Sequence, residues 1–227
     1  MSATRVLLVG AEGRMGQAVT AAAAKDASLT IVAGIERNDP IAPVIESCDV
    51  VIDFSAAAAT ETICQACAQH GRPLVLGTTG HSAAQKDAVA AAARKIPLVF
   101  AANFSVGVNV LFALTRRATE LLGGDFDLDV IELHHRMKKD APSGTAKRLL
   151  EILQEVRGDD RAIAAQSIRA GDIVGEHTVI FAGSGERLEL THRAASRETF
   201  AAGALRAARW VINQPVGLYN MEDVLGL

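Results

Sequence analysis

Two textures of hydrophobic and polar positions alternate along the first hundred residues. Short apolar runs, rich in β-branched residues, fall at 5–9, 29–35, 50–54, 73–76 and 97–101, and alanine-rich segments of helical length fall at 15–25, 57–70 and 82–95. The short runs are continuously apolar rather than alternating, which predicts strands buried on both faces. Strand–helix alternation of this kind predicts a parallel sheet with helices on either side. After residue 101 the pattern changes. A helix is predicted over 106–122, closed by Gly123-Gly124, followed by a strand over 128–134 and a helix over 145–156. Three strands follow at 166–169, 177–181 and 187–193, with Gly183-Ser184-Gly185 as a hairpin turn between the last two. This second texture predicts a helix-plus-antiparallel unit beginning near residue 106. The alanine-rich helix at 199–213 is expected to pack back on the first unit.

Composition narrows the picture only a little. The 227 residues suit one large or two modest domains, and 49% hydrophobic with 22% charged residues is ordinary for a globular chain. A net charge of -3 excludes a protein built to coat nucleic acid or an anionic membrane, so attraction for an anion must come from a local cluster. No apolar run approaches the ~20 residues that span a bilayer, and no basic-then-apolar leader precedes residue 5, so a cytoplasmic location is expected. Three cysteines, Cys48, Cys64 and Cys67, make an odd set for a disulfide framework. The Cys64-x-x-Cys67 pair lies inside a helical stretch with no second pair to complete a zinc site, so both are expected as small buried hydrophobes.

The run at 5–9 leads into Gly10-Ala11-Glu12-Gly13-Arg14-Met15-Gly16 and then a helix. Glycines there let the backbone turn and approach a pyrophosphate, while the helix start offers N–H groups and a partial positive charge. The spacing is G-x-x-G-x-x-G rather than the usual G-x-G-x-x-G, and a tight turn without a ligand is the plainer alternative. The next strand ends just before Glu36, twenty residues after Gly16. A carboxylate there accepts from ribose hydroxyls and favours NADH, whereas the adjacent Arg37 pairs with a 2′-phosphate and favours NADPH. A solvated charge pair is the alternative. Further strand ends lead into Ser55, into Gly77-Thr78-Thr79-Gly80 and into Ala102-Asn103-Phe104-Ser105. In open parallel sheets ligands bind outside the carboxyl ends of the strands, so these segments are expected to share one crevice, with Thr78, Thr79 and Asn103 on its nicotinamide side. The fold class is therefore α/β: a Rossmann-like parallel-sheet nucleotide domain (1–105 plus 198–227) and a smaller α+β domain (106–197).

The most unusual stretch runs from Glu132 through His134-His135-Arg136-Met137-Lys138-Lys139-Asp140-Ala141-Pro142-Ser143-Gly144-Thr145 to Ala146, with two histidines and three fixed cations in six residues. Such density repels itself, and a bound anion supplies the reason for it. Ser143 is a candidate N-cap for the following helix, turning the N–H groups of Gly144 and Thr145 outward to dock a carboxylate. Lys138 or His135 can neutralise the same carboxylate or a second one. His134 or Lys138 can supply a proton, both being expected protonated or nearly so at working pH. Adjacent histidines on a strand face opposite sides, so His134 and His135 are poor joint ligands and no metal is expected. A solvated basic loop is the plainer alternative. A nucleic-acid patch is disfavoured because the stretch has no aromatic residue for stacking.

Together these residues resemble the 4-hydroxy-tetrahydrodipicolinate reductase (dihydrodipicolinate reductase) family of lysine and diaminopimelate biosynthesis, over essentially the whole chain. The strongest element is the 134–146 run, similar to that family's E-x-H-H-R-x-K-x-D-A-P-S-G-T-A. The segments 10–16, Glu36-Arg37, 77–80, 101–107 and 169–177 also match. The resemblance implies an NAD(P)H-dependent oxidoreductase acting on a small cyclic dicarboxylate. It implies binding of NADH or NADPH through Gly10, Ala11, Glu12, Gly13, Arg14, Met15, Glu36, Arg37, Gly77, Thr78, Thr79, Ala101, Ala102, Asn103 and Phe104. It implies substrate binding through His135, Gly144 and Thr145, with His134 as proton donor or acceptor and Lys138 as proton donor. It further implies a homotetramer joined through the sheet of the second domain, and no nucleic-acid or membrane partner. The segments 38–48 and just before Gln166 are short for the family. A non-catalytic NAD(P)H sensor or another NAD(P)-dependent dehydrogenase are the rival readings; turnover of the cyclic imine separates them.

Overall fold

The computed structural model describes residues 3–36 and 38–227. In chain order the elements are β1 (Thr4–Val9), α1 (Arg14–Ala23), β2 (Leu29–Ile35), β3 (Val50–Asp53), α2 (Thr60–His70), β4 (Leu74–Leu76), α3 (Ala83–Ala93) and β5 (Pro97–Phe100). There follow α4 (Val106–Leu122), β6 (Asp127–His134), α5 (Gly144–Arg157), β7 (Ala164–Arg169), β8 (Gly175–Ala182) and β9 (Arg187–Ala194). The chain closes with α6 (Glu198–Val211), β10 (Gly217–Tyr219) and α7 (Met221–Leu225). Two compact units result: Met1–Ser105 with Glu198–Gly226, and Val106–Arg197.

The first unit is a six-stranded sheet in the order β10-β5-β4-β3-β1-β2, and every pairing is parallel. Successive residues of a strand point to opposite faces, and the central strands divide their side chains accordingly. Val6, Leu8, Val50, Ile52, Val75 and Val99 join α1, α6 and α7 in one core. Leu7, Val9, Val51, Leu74, Leu76 and Leu98 join α2 and α3 in the other. All four residues of β3 are buried, as a continuous apolar run predicts for a strand covered on both sides. Burial of each such Val, Leu or Ile is worth about 1.5–3 kcal/mol. Alanines in α6 permit a close fit: Ala201, Ala204, Ala207 and Ala208 are fully buried against that sheet core. Ser82 and Gln85 form a capping box that starts α3. Between β2 and β3, the short 38–48 segment holds only the 3-10 turn Ile45–Ser47.

The second unit carries a four-stranded sheet in the order β7-β6-β8-β9. Its β6–β8 and β8–β9 pairs are antiparallel. The expected helix-plus-antiparallel unit needs one correction: β7 pairs parallel to β6, with His134 opposite Arg169. Parallel neighbours need a crossover, and α5 supplies it. Burial alternates along β6 and β8, so one face packs on α4 and α5 through Leu128, Val130, Val179 and Phe181. Residues β10 and α7, not anticipated from the pattern, complete the first unit; Asn220 and Asp223 form the capping box that starts α7.

Candidate functional site

In a parallel sheet all strands end at one edge, and the predicted nucleotide segments of the first unit follow β1, β2, β4 and β5 at that edge. Helix α1 follows β1, while α2 and α3 cover the opposite face, so the chain reverses direction across the sheet between β1 and β3. That switch point is where open α/β sheets bind ligands.

The glycine-rich loop is shaped by backbone contact. Gly10 has φ 81°, and a Cβ on it would lie 2.9 Å from the backbone of Phe54 and Ser55. A Cβ on Gly16 would lie 2.1 Å from the Gly10 carbonyl oxygen. No other residue type fits either place without a shift. Gly13 is the N-cap of α1 and brings no side chain to it, which leaves the helix start to its backbone N–H groups. Glu36 is brought to this loop: its Oε1 accepts from the backbone N–H of Glu12 at 2.8 Å. Arg37, its predicted neighbour in cofactor binding, lies outside the described residues. Ala11, Glu12, Arg14 and Met15 line the turn and first helical turn, with Glu12 and Arg14 exposed. Gly77, Thr78 and Thr79 follow β4, and Ala101, Ala102, Asn103 and Phe104 follow β5. Asn103 Oδ1 accepts from the Ser105 N–H at 2.9 Å, and Phe104 is buried edge-to-face against Phe54 at 5.7 Å.

One residue under this edge escaped the sequence reading. Asp53, fully buried at the end of β3, accepts from the Ser55 N–H at 2.8 Å and Oγ at 2.5 Å, and from Thr78 Oγ1 at 3.1 Å. It ties two crevice loops together. Burial pushes its carboxyl above the usual range, although these donors work against that. The signal was present as an acid ending an apolar run.

The three cysteines are buried, and burial pushes the Cys64 thiol up to about 12 and Cys67 in the same direction. They are packing residues, as expected of thiols in apolar surroundings.

In the second unit the basic stretch begins at the end of β6. His134 is buried, His135 is half-buried in the loop that follows, and Arg136, Met137 and Lys139 are exposed. The loop is pinned to the segment after β7: Ala170 N–H donates to the His134 carbonyl at 2.9 Å and Arg136 N–H to the Gly171 carbonyl at 3.2 Å. Lys138 Nζ lies 3.0 Å from Asp140 Oδ2. Ser143 caps α5, its Oγ accepting from the Ala146 N–H at 3.2 Å, and Gly144 stands exposed at the first helical position with Thr145 next to it. The structure thus brings His134, Lys138 and the α5 start into one unit around a single loop.

Beneath that loop lies a polar cluster in which the sequence reading gave roles only to His134, as proton carrier, and Ser143, as helix cap. Glu132 has no solvent exposure and binds Arg169 through both oxygens, Nη2 to Oε1 at 2.7 Å and Nη1 to Oε2 at 2.9 Å. Glu132 Oε1 also accepts from the Ser143 N–H at 3.2 Å, and Oε2 accepts from His134 Nδ1. Burial opposes its ionisation, but the Arg169, Ser167 and His134 donors prevail and hold its carboxyl at about 2. His177, opposite Glu132 on β8, stacks edge-to-face on His134 at 5.2 Å, with its Nε2 3.1 Å from Ser143 Oγ. Burial, and the charge of His134 next, push His177 down to about 3. His134 is also lowered, first by burial and then by the positive charges of Lys138 and Arg169, against the pull of Glu132. The lowering runs against the expectation that His134 is protonated or nearly so, while Glu132 at its Nδ1 works to keep the proton on the ring. Among the described residues no group of three histidine, cysteine or acidic side chains is placed to hold a metal ion.

A doubly wound sheet with a glycine-shaped turn at its switch point, joined to a unit carrying a buried acid–base cluster and an open helix start, defines the class of dinucleotide-dependent oxidoreductases. Comparison with known proteins gives the family. Residues 4–104 match the family described as dihydrodipicolinate reductase, N-terminus, and residues 107–225 the family described as dihydrodipicolinate reductase, C-terminus. A 4-hydroxy-tetrahydrodipicolinate reductase of Akkermansia muciniphila is 47% identical over 240 residues, covering 98% of each chain. One from Hahella chejuensis is 43% identical over 265 residues, covering 99% of each. A dipicolinate-bound dihydrodipicolinate reductase from Paenisporosarcina sp. TG-14 shares the fold with a TM-score of 0.84 at 21% identity, over 96% of this chain and 97% of that one. The chain belongs to the dihydrodipicolinate reductase family, a family of oxidoreductase enzymes.

Proposed function

We propose that the chain reduces 4-hydroxy-tetrahydrodipicolinate, by way of dihydrodipicolinate, to tetrahydrodipicolinate in lysine and diaminopimelate biosynthesis, using NADH or NADPH. The observation that carries this reading is the single loop holding His134, Lys138 and the Ser143-capped start of α5, in a chain of this family. A reduced nicotinamide, when bound, supplies the hydride.

The first unit fits a dinucleotide because Gly10 and Gly16 keep clear a turn that a Cβ would fill, and because no side chain caps α1. Gly10, Ala11, Glu12, Gly13, Arg14 and Met15 hold the pyrophosphate side, while Gly77, Thr78, Thr79, Ala101, Ala102, Asn103 and Phe104 serve the nicotinamide side. Glu36, anchored on Glu12, accepts from ribose hydroxyls and favours NADH; Arg37 extends use to NADPH.

In the second unit the exposed Gly144 and the half-buried Thr145 at the start of α5, together with His135, hold the substrate carboxylates. Reduction of a conjugated imine builds negative charge on the adjacent carbon and nitrogen, and a proton must follow. Lys138 carries that proton on Nζ, and His134 accepts or relays protons at Nε2. The fold relative bound to dipicolinate supports a small dicarboxylate as ligand. Assembly through the second sheet into a homotetramer and a cytoplasmic place belong to the same reading. No helix among the described residues is long and apolar enough to cross a membrane.

Steady-state oxidation of NADH and of NADPH with the freshly generated cyclic imine tests the reading. Turnover with both nucleotides, at lower KM for NADH, is expected. Nucleotide binding without turnover identifies a sensor instead.

A further inference from the structure

We infer that Glu132 is a positioning residue for the proton-transfer step: held by Arg169, its carboxylate fixes His134 in the Nδ1–H tautomer and ties that ring to the backbone amide of Ser143. The inference rests on the proposed role of His134 and names what makes that role possible.

Residues two apart on a strand share a face, so Glu132 and His134 lie side by side on the covered face of β6. Register brings the rest. Arg169 stands opposite His134 on β7, and His177 stands opposite Glu132 on β8. The guanidinium takes both carboxylate oxygens in the forked geometry that suits this pair. Arg169 is fixed in turn by the carbonyls of Asp140 at 2.6 Å and Ile168 at 2.8 Å. An ionised carboxylate only accepts hydrogen bonds. The proton between Glu132 Oε2 and His134 Nδ1 therefore belongs to the imidazole, and the lone pair of the neutral ring is on Nε2.

The other ring edge is also prepared. A Cβ on Gly175 would sit 3.0 Å from His134 Nε2, so glycine at the start of β8 leaves that nitrogen uncrowded. Glu132 reaches a second device through its other oxygen, which accepts from the Ser143 N–H. One buried carboxylate thus sets both the proton carrier at the end of β6 and the helix start that receives a substrate carboxylate. Breaking such a buried pair leaves an uncompensated charge, which explains why Arg169 must accompany Glu132.

Glu132→Gln is the informative change. The amide oxygen is needed by Arg169 and Ser143, so its NH2 faces His134 and donates to Nδ1, driving the ring to the Nε2–H form. Long-range ¹⁵N–¹H imidazole spectra and steady-state kinetics of the full chain decide the matter. The expected results are an Nδ1–H tautomer for His134 in the parent and an Nε2–H tautomer in Glu132→Gln. That variant loses at least tenfold in kcat with nucleotide affinity unchanged, and Glu132→Asp, which keeps the charge, recovers part of the loss along with the parent tautomer. An Nε2–H tautomer in the parent overturns the inference even if the variants fail to fold. So does a Glu132→Gln variant that keeps the parent tautomer and turnover. Full turnover by His134→Gln, with the parent tautomer Nδ1–H, instead overturns the role of His134 on which the inference rests.

Discussion

His177 Nε2 lies 3.1 Å from Ser143 Oγ, so a strand in the middle of the second sheet holds the residue that caps α5. That hydroxyl already accepts the Ala146 N–H, and His177 Nδ1 is buried with no hydrogen-bond partner among the described residues. Among the described residues the contact with Ser143 is thus the one hydrogen bond of the His177 ring.

Ser143→Ala removes the cap and this contact together. Loss of a cap alone costs about 1 kcal/mol, and stranding a buried ring nitrogen adds on the order of 1–3 kcal/mol. Urea unfolding is expected to show a lowered midpoint with an unchanged slope against denaturant. The same variant is expected to raise KM for the dicarboxylate more than it lowers kcat, since it disturbs the helix start rather than Lys138.

Acid is expected to unfold the protein through the same cluster. His177 sits at about 3 when folded, against an ordinary value of 6.5, so only the unfolded chain takes up its proton between those values. Its contribution is complete above about pH 6.5 and is lost as pH falls toward about 3, at roughly 1.4 kcal/mol per pH unit. Glu132, held at about 2 against 4.5, adds loss in the same direction once pH drops below its unfolded value. Unfolding free energies measured from about pH 7 down to about pH 5 should fall, and His177→Gln should reduce that slope by about one proton.

In the first unit, Gly16→Ala places a methyl 2.1 Å from one backbone oxygen and 2.5 Å from another. The loop must open to admit it, at a cost of about 1–3 kcal/mol. Fluorescence titration is expected to show nucleotide affinity reduced at least tenfold. Unchanged affinity would remove the loop from the binding site.

Much of this was readable from the sequence because the signals were local. The continuous apolar runs gave the parallel sheet, the glycine spacing gave the turn before α1, and the serine before Gly144 gave the start of α5. What was missed is what depends on register. Arg169 and His177 meet Glu132 only through pairing of β6 with β7 and β8, 37 and 45 residues further along the chain. The parallel setting of β7 was hidden for the same reason, since nothing in its six residues states its direction. Glu132 itself had a usable signal, its i, i+2 relation to His134 on a strand, but it was obscured by the cations that follow. The two elements after Pro215 are three and five residues long, too short for periodicity to reveal.

The central claim is that the second unit transfers the proton while the first holds the nucleotide. Lys138→Ala tests it most directly, with kcat and nucleotide dissociation constant measured on the same preparation. The expected result is a fall in kcat of about 10²-fold or more, with nucleotide affinity within twofold of the parent. Near-parent turnover, or a loss of nucleotide binding that matches the loss of turnover, would contradict it.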